Sequence, residues 1–444
     1  MGEITMTSPL YPSDTKVAYN ITDDDVEKIK AAIDMDELTE LVLTLGNIPS
    51  QSRFEAESSK FVFDWLQDNG FKTRQCGATP ERQNIIGEYG GTGMGKNLLF
   101  TAHLDTESPS DDPHINKHRF TEQNLANPEW KTCWLEDGKF HGFPIYNDRG
   151  PMSCFLIAAK ALKKAGFDLA GKLYLTACPG EIGPEPMEEY EGVDYLGKDI
   201  GANYLFHHGG VVADYAIAAE GCDWGVTWQG CGYVLYRIQI FGEGVFTPIL
   251  DAPTDVNAHP NPIYKLGTVI DALHSWSLKY EADNHYETAG GVSIPKAQID
   301  AIKAGSPTSF GAGTDICSVY LDVGLTPQQT AAQSYHELKQ VMSTLDIAGY
   351  EIEPMVVRNG YEADPTAVSP LVKSLCDATK AVNGDAIERA HPAYSSMWRD
   401  HNVFNMQRVP AITTGMPRFA ATPEDLVKSA LIYALTTLSV CGKQ

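Results

Sequence analysis

The chain has 444 residues, of which 43% are hydrophobic, and its formal net charge is −24. This length predicts two domains or one domain with a large insert, and the apolar content excludes an intrinsically disordered chain. The excess of carboxylates argues against nucleic acid or an anionic membrane surface as a partner.

The first residues, 1–19, lack the basic lead and apolar stretch of a secretory signal. The longest apolar runs are too short to span a bilayer. Nine cysteines are scattered without a paired spacing, which is typical of reduced thiols. We therefore expect a cytoplasmic protein that neither crosses nor binds a membrane.

The first half of the chain alternates amphipathic helices with short apolar runs. This alternation predicts an α/β domain with a mostly parallel sheet. The predicted helices span residues 23–45, 54–69 and 152–165, and the predicted strands span residues 84–89, 97–102, 172–177 and 215–219.

The pattern changes near residue 231 and returns to α/β beyond residue 365. Between these points the predicted order β-α-β-β-α-β is the split, ferredoxin-like motif. We therefore predict an α/β domain of residues 1–229 and 361–444, interrupted by a four-stranded domain of residues 230–360. The predicted strands of the insert span residues 233–241, 293–302, 316–323 and 350–357, its helices span 264–280 and 328–345, and later helices span 368–382 and 424–439.

Three polar clusters follow apolar strands of the first domain. His103 and Asp105 follow the second strand, Glu181 follows the third, and Glu220 follows the fourth. Ligands of open α/β sheets bind beyond the carboxyl ends of the strands. Taken singly, each cluster has a plainer interpretation, namely a surface histidine or a structural acid.

Asn147 and Asp148 add two oxygen donors to these clusters. A carboxylate that closes an apolar strand is costly unless it is paired or bound to metal. In an extended segment His103 and Asp105 point the same way, so Asp105 can hold the imidazole tautomer that binds metal. Together the clusters favour a metal site.

The order of these motifs resembles the co-catalytic metallopeptidase and aminoacylase family, which includes peptidase T, carboxypeptidase G and succinyl-diaminopimelate desuccinylase. Residues 242–245 resemble the lid signature of that family, and residues 422–425 resemble its closing motif. The resemblance covers nearly the whole chain. It implies a metal-dependent hydrolase whose inserted domain is a lid and dimerisation domain, and hence a homo-oligomer that associates through the lid.

The resemblance also implies roles for individual residues. His103 and Glu220 would hold one metal, and Asp105 would orient His103. Glu181 corresponds to the acidic ligand of a second metal. The bridging aspartate of the family corresponds to Asn147, and Asp148 replaces it if the turn is shifted by one residue.

Four further positions depart from the family in residues that carry its chemistry. Gly180 stands where the family has its general base, Phe246 replaces the lid histidine, Gly324 replaces the lid arginine, and Ala421 replaces the last metal-ligand histidine. The second metal site and the usual base are therefore lost. A peptidase mechanism copied from the family does not work with these residues.

Two hypotheses remain, a catalytically inactive binding protein and an enzyme that cleaves a different C–N bond. The retained His103, Asp105, Glu181 and Glu220 favour the enzyme. It would use one divalent transition-metal ion, Mn²⁺ or Zn²⁺, per subunit. Metal-bound water would be the nucleophile, with Glu181 as the base. A di- or tripeptidase and an N-acyl amino acid amidohydrolase are the alternatives.

The departures resemble in kind those of one branch of the family, the 5-nitroanthranilate aminohydrolases, which implies a small aromatic substrate. Phe246 in the lid agrees with such a substrate, although a core phenylalanine is an equal alternative. Arg399 lies where the family places substrate-binding residues, and it would bind a carboxylate through two parallel bonds. A solvated surface arginine is the alternative there.

Overall fold

The computed structural model describes residues 9–106, 116 and 119–444. Within those ranges, no helix is long and apolar enough to cross a membrane. The strands are β1 (Lys72–Gly77), β2 (Gln83–Gly90), β3 (Leu98–His103), β4 (Trp134–Glu136), β5 (Lys139–His141), β6 (Lys172–Cys178), β7 (Tyr215–Ala219), β8 (Val226–Thr227), β9 (Gln229–Gly230), β10 (Gly232–Phe241), β11 (Tyr286–Thr288), β12 (Gly291–Ser293), β13 (Ala297–Ala304), β14 (Ile316–Leu325), β15 (Tyr350–Arg358), β16 (Tyr361–Glu362) and β17 (Ala411–Thr414). The helices are α1 (Asp23–Ala32), α2 (Met35–Gly46), α3 (Ala56–Asp68), α4 (Glu122–Leu125), α5 (Gly150–Lys164), α6 (Ala202–His208), α7 (Leu266–Asp283), α8 (Ala331–Ser343), α9 (Pro365–Asn383), α10 (Pro392–Ser395), α11 (His401–Met406) and α12 (Pro423–Cys441).

Seven strands form the larger sheet, in the order β1-β2-β6-β3-β7-β17-β8. The four central strands, β6, β3, β7 and β17, run parallel, and the outer strands are antiparallel to their neighbours. Strand β3 is buried at every residue, as expected of a strand covered on both faces. The largely buried helices α5 and α12 contribute to the same core. The predicted mostly parallel α/β sheet is confirmed.

The smaller sheet has the order β13-β14-β10-β15, and all neighbouring strands are antiparallel. Buried and half-buried residues alternate along β10. One of its faces therefore joins the core formed with α7 and α8, which includes Tyr236 and Trp276. This strand order confirms the predicted ferredoxin-like domain.

Two predicted elements are each divided in the structure. The single helix expected over residues 23–45 is two helices, α1 and α2. The Asp34 side chain accepts hydrogen bonds from the main-chain nitrogens of Asp36 (3.0 Å) and Glu37 (3.1 Å), and this cap starts the second helix. The strand expected over residues 293–302 is divided into β12 and β13 around Pro295, which has no N–H group for a ladder.

Candidate metal centre

The carboxyl ends of the central parallel strands meet at one edge of the larger sheet. His103 ends β3 and pairs in register with Cys178 at the end of β6. Glu220 follows β7 directly. Asp148 arrives from the turn Ile145–Arg149, which precedes α5. The sheet therefore brings residues from distant parts of the chain to one place.

Three of these residues form a compact group of potential metal ligands. One ligand atom from each of His103, Asp148 and Glu220 lies within 4.8 Å of the others. All three side chains are buried. One imidazole and two carboxylates are a donor set that suits Zn²⁺ or Mn²⁺.

The orientation of His103 leaves one ring nitrogen facing the group. Its Nδ1 donates a hydrogen bond of 2.7 Å to the main-chain oxygen of Asp105. Its Nε2 lies 3.4 Å from Oδ2 of Asp148. Burial opposes the charged ring, but the carboxylates of Asp148, Asp105 and Glu181 raise the pKa of His103 well above its ordinary value. The electrostatic field that favours a proton on Nε2 also favours a cation beside it.

The carboxylate of Asp105 stabilises the backbone next to His103 through hydrogen bonds. Its carboxylate accepts hydrogen bonds from Ser52 Oγ (2.8 Å) and from the main-chain nitrogens of Glu181 (3.0 Å) and Ile182 (2.9 Å). Although burial opposes its charge, His103 and these donors hold the pKa of Asp105 well below its usual range. Asp105 contacts His103 mainly through its main-chain oxygen, because the carboxylate is 3.5 Å from Nδ1. Its carboxylate instead fixes the turn that carries Glu181.

The surroundings of the Asp148 carboxylate indicate whether the group fits a cation. Neither of its oxygens has a hydrogen-bond partner among the described residues, and both are buried. Burial and the charge of Glu220 raise the pKa of Asp148 well above its usual range. Such a carboxylate is costly unless a cation compensates it. The three residues therefore fit a divalent ion.

Asn147 and Asp148, the two alternative ligands in this turn, differ in what they contact. Asp148 belongs to the three-residue group. Asn147 is half-buried, and its Oδ1 lies 2.9 Å from Nε2 of His103. A neutral amide oxygen is a weaker ligand for a divalent ion than a carboxylate. The geometry therefore favours Asp148 as the ligand and leaves Asn147 as a neighbour of His103.

Glu181 borders the group without belonging to it. Its Oε2 lies 3.9 Å from Nε2 of His103, and its Oε1 lies 3.8 Å from Nζ of Lys198. Lys198 also donates a hydrogen bond to the main-chain oxygen of Glu181. One carboxylate oxygen of Glu181 therefore lies near the group and the other lies near a buried ammonium.

One residue of this site, Lys198, carries no recognisable signal in the sequence. Lys198 is buried, and its Nζ lies 5.4 Å from the Trp398 ring and 5.9 Å from the Tyr233 ring. Asp400 is also buried, and burial together with the charge of Glu181 raises its pKa to about 8. A lysine in a polar loop looks solvent-exposed, so only the fold reveals Lys198 beside Glu181.

One of the departures, Gly180, can be explained by packing. Gly180 has φ +76°, and a Cβ there would lie 2.6 Å from the main-chain oxygen of Gly197 and 3.0 Å from Nη2 of Arg82. No glutamate fits at Gly180 without moving this backbone. Ala421 is fully buried and offers no side-chain donor. In the described ranges, the three-residue group is the one cluster of three or more metal-ligating side chains found.

The structure places the two predicted substrate-binding residues differently. Arg399 is buried, with Nη1 3.0 Å from Oε2 of Glu220, so the alternative of a solvated arginine is wrong. Phe246 lies in the loop after β10 and is 57% exposed, so the core alternative is wrong. It packs beside Gly311 of the same domain. The substrate role of Phe246 stays a prediction.

Comparison with known proteins agrees with this fold. Residues 99–432 match the sequence profile of peptidase family M20/M25/M40. Over 141 residues the chain is 28% identical to succinyl-diaminopimelate desuccinylase of Rickettsia canadensis (strain McKiel), a stretch that covers 31% of this chain and 34% of that enzyme. The match therefore spans about a third of that curated relative.

Solved structures resemble most of the chain. A di-peptidase from Saccharomyces cerevisiae superposes with a TM-score of 0.66 at 12% identity, covering 95% of this chain and 99% of that chain. A tripeptidase from Staphylococcus aureus superposes with a TM-score of 0.64 at 14% identity, covering 92% and 99%. At these identities the likeness shows the fold.

Proposed function

This chain belongs to peptidase family M20/M25/M40, and we propose that it is a metal-dependent hydrolase of a C–N bond outside a peptide, in a small aromatic molecule. The observation that carries the proposal is the group of His103, Asp148 and Glu220, with Glu181 beside it. One such group, rather than two, supports a single divalent ion per chain.

The chemistry would be divided between the ion and this chain's own side chains. His103, Asp148 and Glu220 would hold a divalent ion, which would lower the pKa of a bound water. Glu181 then takes a proton from the attacking water, since its carboxylate lies at the border of the group. The water oxygen bonds to the carbon, the C–N bond breaks, and Glu181 returns the proton to the leaving nitrogen.

Neighbouring charges support this assignment for Glu181. Nζ of Lys198 lies 3.8 Å from Oε1 of Glu181 and so positions this carboxylate beside the group. Asp105 accepts hydrogen bonds from the main-chain nitrogens of residues 181 and 182 and so fixes the turn. Both contacts keep the base pointed at the group.

The departures from the family argue for a bond other than a peptide. The family has its general base at the position that Gly180 occupies here, and this position has no room for a side chain. The lid carries Phe246 in place of a histidine that would stabilise a tetrahedral oxyanion. Addition of water to an electron-poor aromatic carbon, followed by loss of ammonia, needs less of that machinery. An aromatic aminohydrolase, such as one acting on 5-nitroanthranilate, is therefore our first choice.

A peptidase is the second candidate, because the structural neighbours include a tripeptidase and a di-peptidase. The test is a screen of metal-loaded protein, with and without chelator, against 5-nitroanthranilate, other aromatic amines and amides, and a set of di- and tripeptides. We expect chelator-sensitive release of ammonia from the aromatic set. Release of amino acids from the peptides alone would favour the peptidase, and no turnover of any compound would favour a binding protein.

A further inference from the structure

One arginine of the smaller sheet contacts both ends of the loop that carries Glu181. This residue, Arg358, is the last residue of β15. Its Nη1 and Nη2 donate hydrogen bonds to the two carboxylate oxygens of Asp199 (2.6 and 2.7 Å). Its Nε and Nη2 donate to the two carboxylate oxygens of Glu185 (3.2 and 2.9 Å). Two carboxylates from opposite ends of the loop therefore share one guanidinium.

The loop, residues 181–199, is closed where its two ends meet. A Cβ at Gly197 would lie 2.4 Å from the main-chain oxygen of Pro184, so the two ends are in direct contact. Glu181 stands at one end and Lys198 near the other, with Nζ of Lys198 3.8 Å from Oε1 of Glu181. A group that holds both ends of the loop together also holds these two side chains side by side.

The contacts of Arg358 are sheltered from solvent on one side. The side chains of Arg358 and Glu185 are 17% and 10% exposed, and that of Asp199 is 38% exposed. Tyr233 pairs in register with Arg358, and its hydroxyl also donates to the carboxylate of Glu185. Two-pronged arginine–carboxylate contacts that are partly buried are stronger than single, exposed ion pairs. Arg358 therefore ties the loop firmly to the smaller sheet.

Two further cations of the smaller sheet contact the middle of the same loop. Nη1 of Arg237 lies 2.8 Å from Oε1 of Glu188. Nζ of Lys303 lies 2.8 Å from Oε2 of Glu188 and 2.8 Å from both carboxylate oxygens of Glu189. These contacts attach the middle of the loop to the sheet, whereas Arg358 contacts its two ends, next to the metal centre.

We propose that Arg358 is a positioning residue for Glu181. By binding Glu185 and Asp199 together it fixes the ends of the loop, and the smaller sheet thereby determines where the Glu181 carboxylate lies. The inference rests on the proposed function in that Glu181 is the base. A misplacement of about 1 Å can cost ~10²-fold in rate. Loss of the contact should therefore lower turnover more than substrate affinity.

The test combines hydrogen–deuterium exchange of residues 182–199 with kcat and KM for the best C–N substrate, both on metal-loaded protein. Arg358→Gln should speed exchange in the loop at least ~10-fold, because charge-assisted hydrogen bonds are lost. It should lower kcat at least ~10-fold and change KM less than ~3-fold. Arg358→Lys should recover only part of both, since a single ammonium lacks the two-pronged geometry. Lys296→Gln is the matched control, because Lys296 pairs with Glu281 of α7, and it should change neither quantity.

Asp199→Asn weakens the same contact from the side of the loop, so the test does not depend on the arginine variants alone. If Arg358 acts through Asp199, the double variant should lose little more than Arg358→Gln. Unchanged exchange in the loop, or additive losses in the double variant, overturns the inference. Faster exchange with normal kcat also overturns it, since Glu181 would then keep its place without Arg358. If the wild type hydrolyses no compound, the proposed function fails, and the exchange rates alone decide whether Arg358 fixes the loop.

Discussion

Oδ2 of Asp148 lies 3.4 Å from Nε2 of His103, and neither oxygen of that carboxylate has a hydrogen-bond partner among the described residues. A buried carboxylate in this state needs a positive charge close to it. The acidic neighbours of His103 raise its pKa against the effect of burial, so the field at Nε2 favours a positive charge. A divalent ion held by the group would supply that charge.

Asp148→Ala should lower the affinity for Mn²⁺ by at least ~10²-fold, because it removes a charged ligand, whereas loss of an outer partner costs about 10–100-fold. Asn147→Ala is the matched control from the same turn, and it should cost about 10-fold, the lower end of that range, since Asn147 contacts His103 from outside the group. Calorimetric titration with Mn²⁺ measures both variants. A larger loss for Asn147→Ala would make the amide the ligand.

Glu181→Gln should lower turnover of the best substrate by at least ~10²-fold, the usual contribution of general-base catalysis. Metal content should stay at the wild-type level, because Glu181 lies outside the three-residue group. Glu191→Gln removes an exposed carboxylate of the same loop and should leave turnover unchanged. If Glu181→Gln lost the metal instead, Glu181 would be a ligand and the base would lie elsewhere.

Gly180→Ala should destabilise the protein more than Gly384→Ala. Both glycines have positive φ, +76° and +82°, so alanine costs about 1–2 kcal/mol in backbone conformation at each. Only at residue 180 would the new Cβ meet other atoms, the oxygen of Gly197 at 2.6 Å among them. Urea unfolding measures the difference. Equal losses would show that the backbone at residue 180 moves freely, and a glutamate would then fit there.

Asp322→Asn should stabilise the protein at neutral pH and have little effect near pH 4. Burial, with the nearby charge of Asp300, raises the pKa of Asp322 from 3.8 to about 6. A folded-state pKa above the unfolded value means that stability is lost as pH rises from about 4 to about 6. The amide removes that loss, so its gain in unfolding free energy at pH 7.5 is roughly 3 kcal/mol. Urea midpoints at several pH values measure it, and a gain independent of pH would contradict this cause.

The parts of the molecule that follow from local patterns were predictable from the sequence. Strand β3 and helix α12 follow from apolar runs and capping residues, and the strand order of the insert follows from the β-α-β-β-α-β pattern. The break at Asp34 was missed, because the hydrophobic periodicity continues through it while the side chain caps a new helix.

The candidate site likewise contains residues that local patterns predicted and residues that they did not. Residues at strand ends, His103 and Glu220, were found because parallel strands end together. Lys198 was missed because its burial depends on packing against Trp398 and Tyr233, which are far away in the sequence. The boundaries at residues 229/230 and 360/361, self-association through the lid and the cytoplasmic location stay predictions.

The number of metal ions per chain tests the central claim most directly. Native mass spectrometry of protein reconstituted with excess Mn²⁺ or Zn²⁺ counts the ions, and His103→Ala removes the one imidazole of the group. We predict one ion per chain in the wild type and none in His103→Ala. Two tightly bound ions per wild-type chain would contradict the account, because Glu181 would then serve as a ligand rather than as the base.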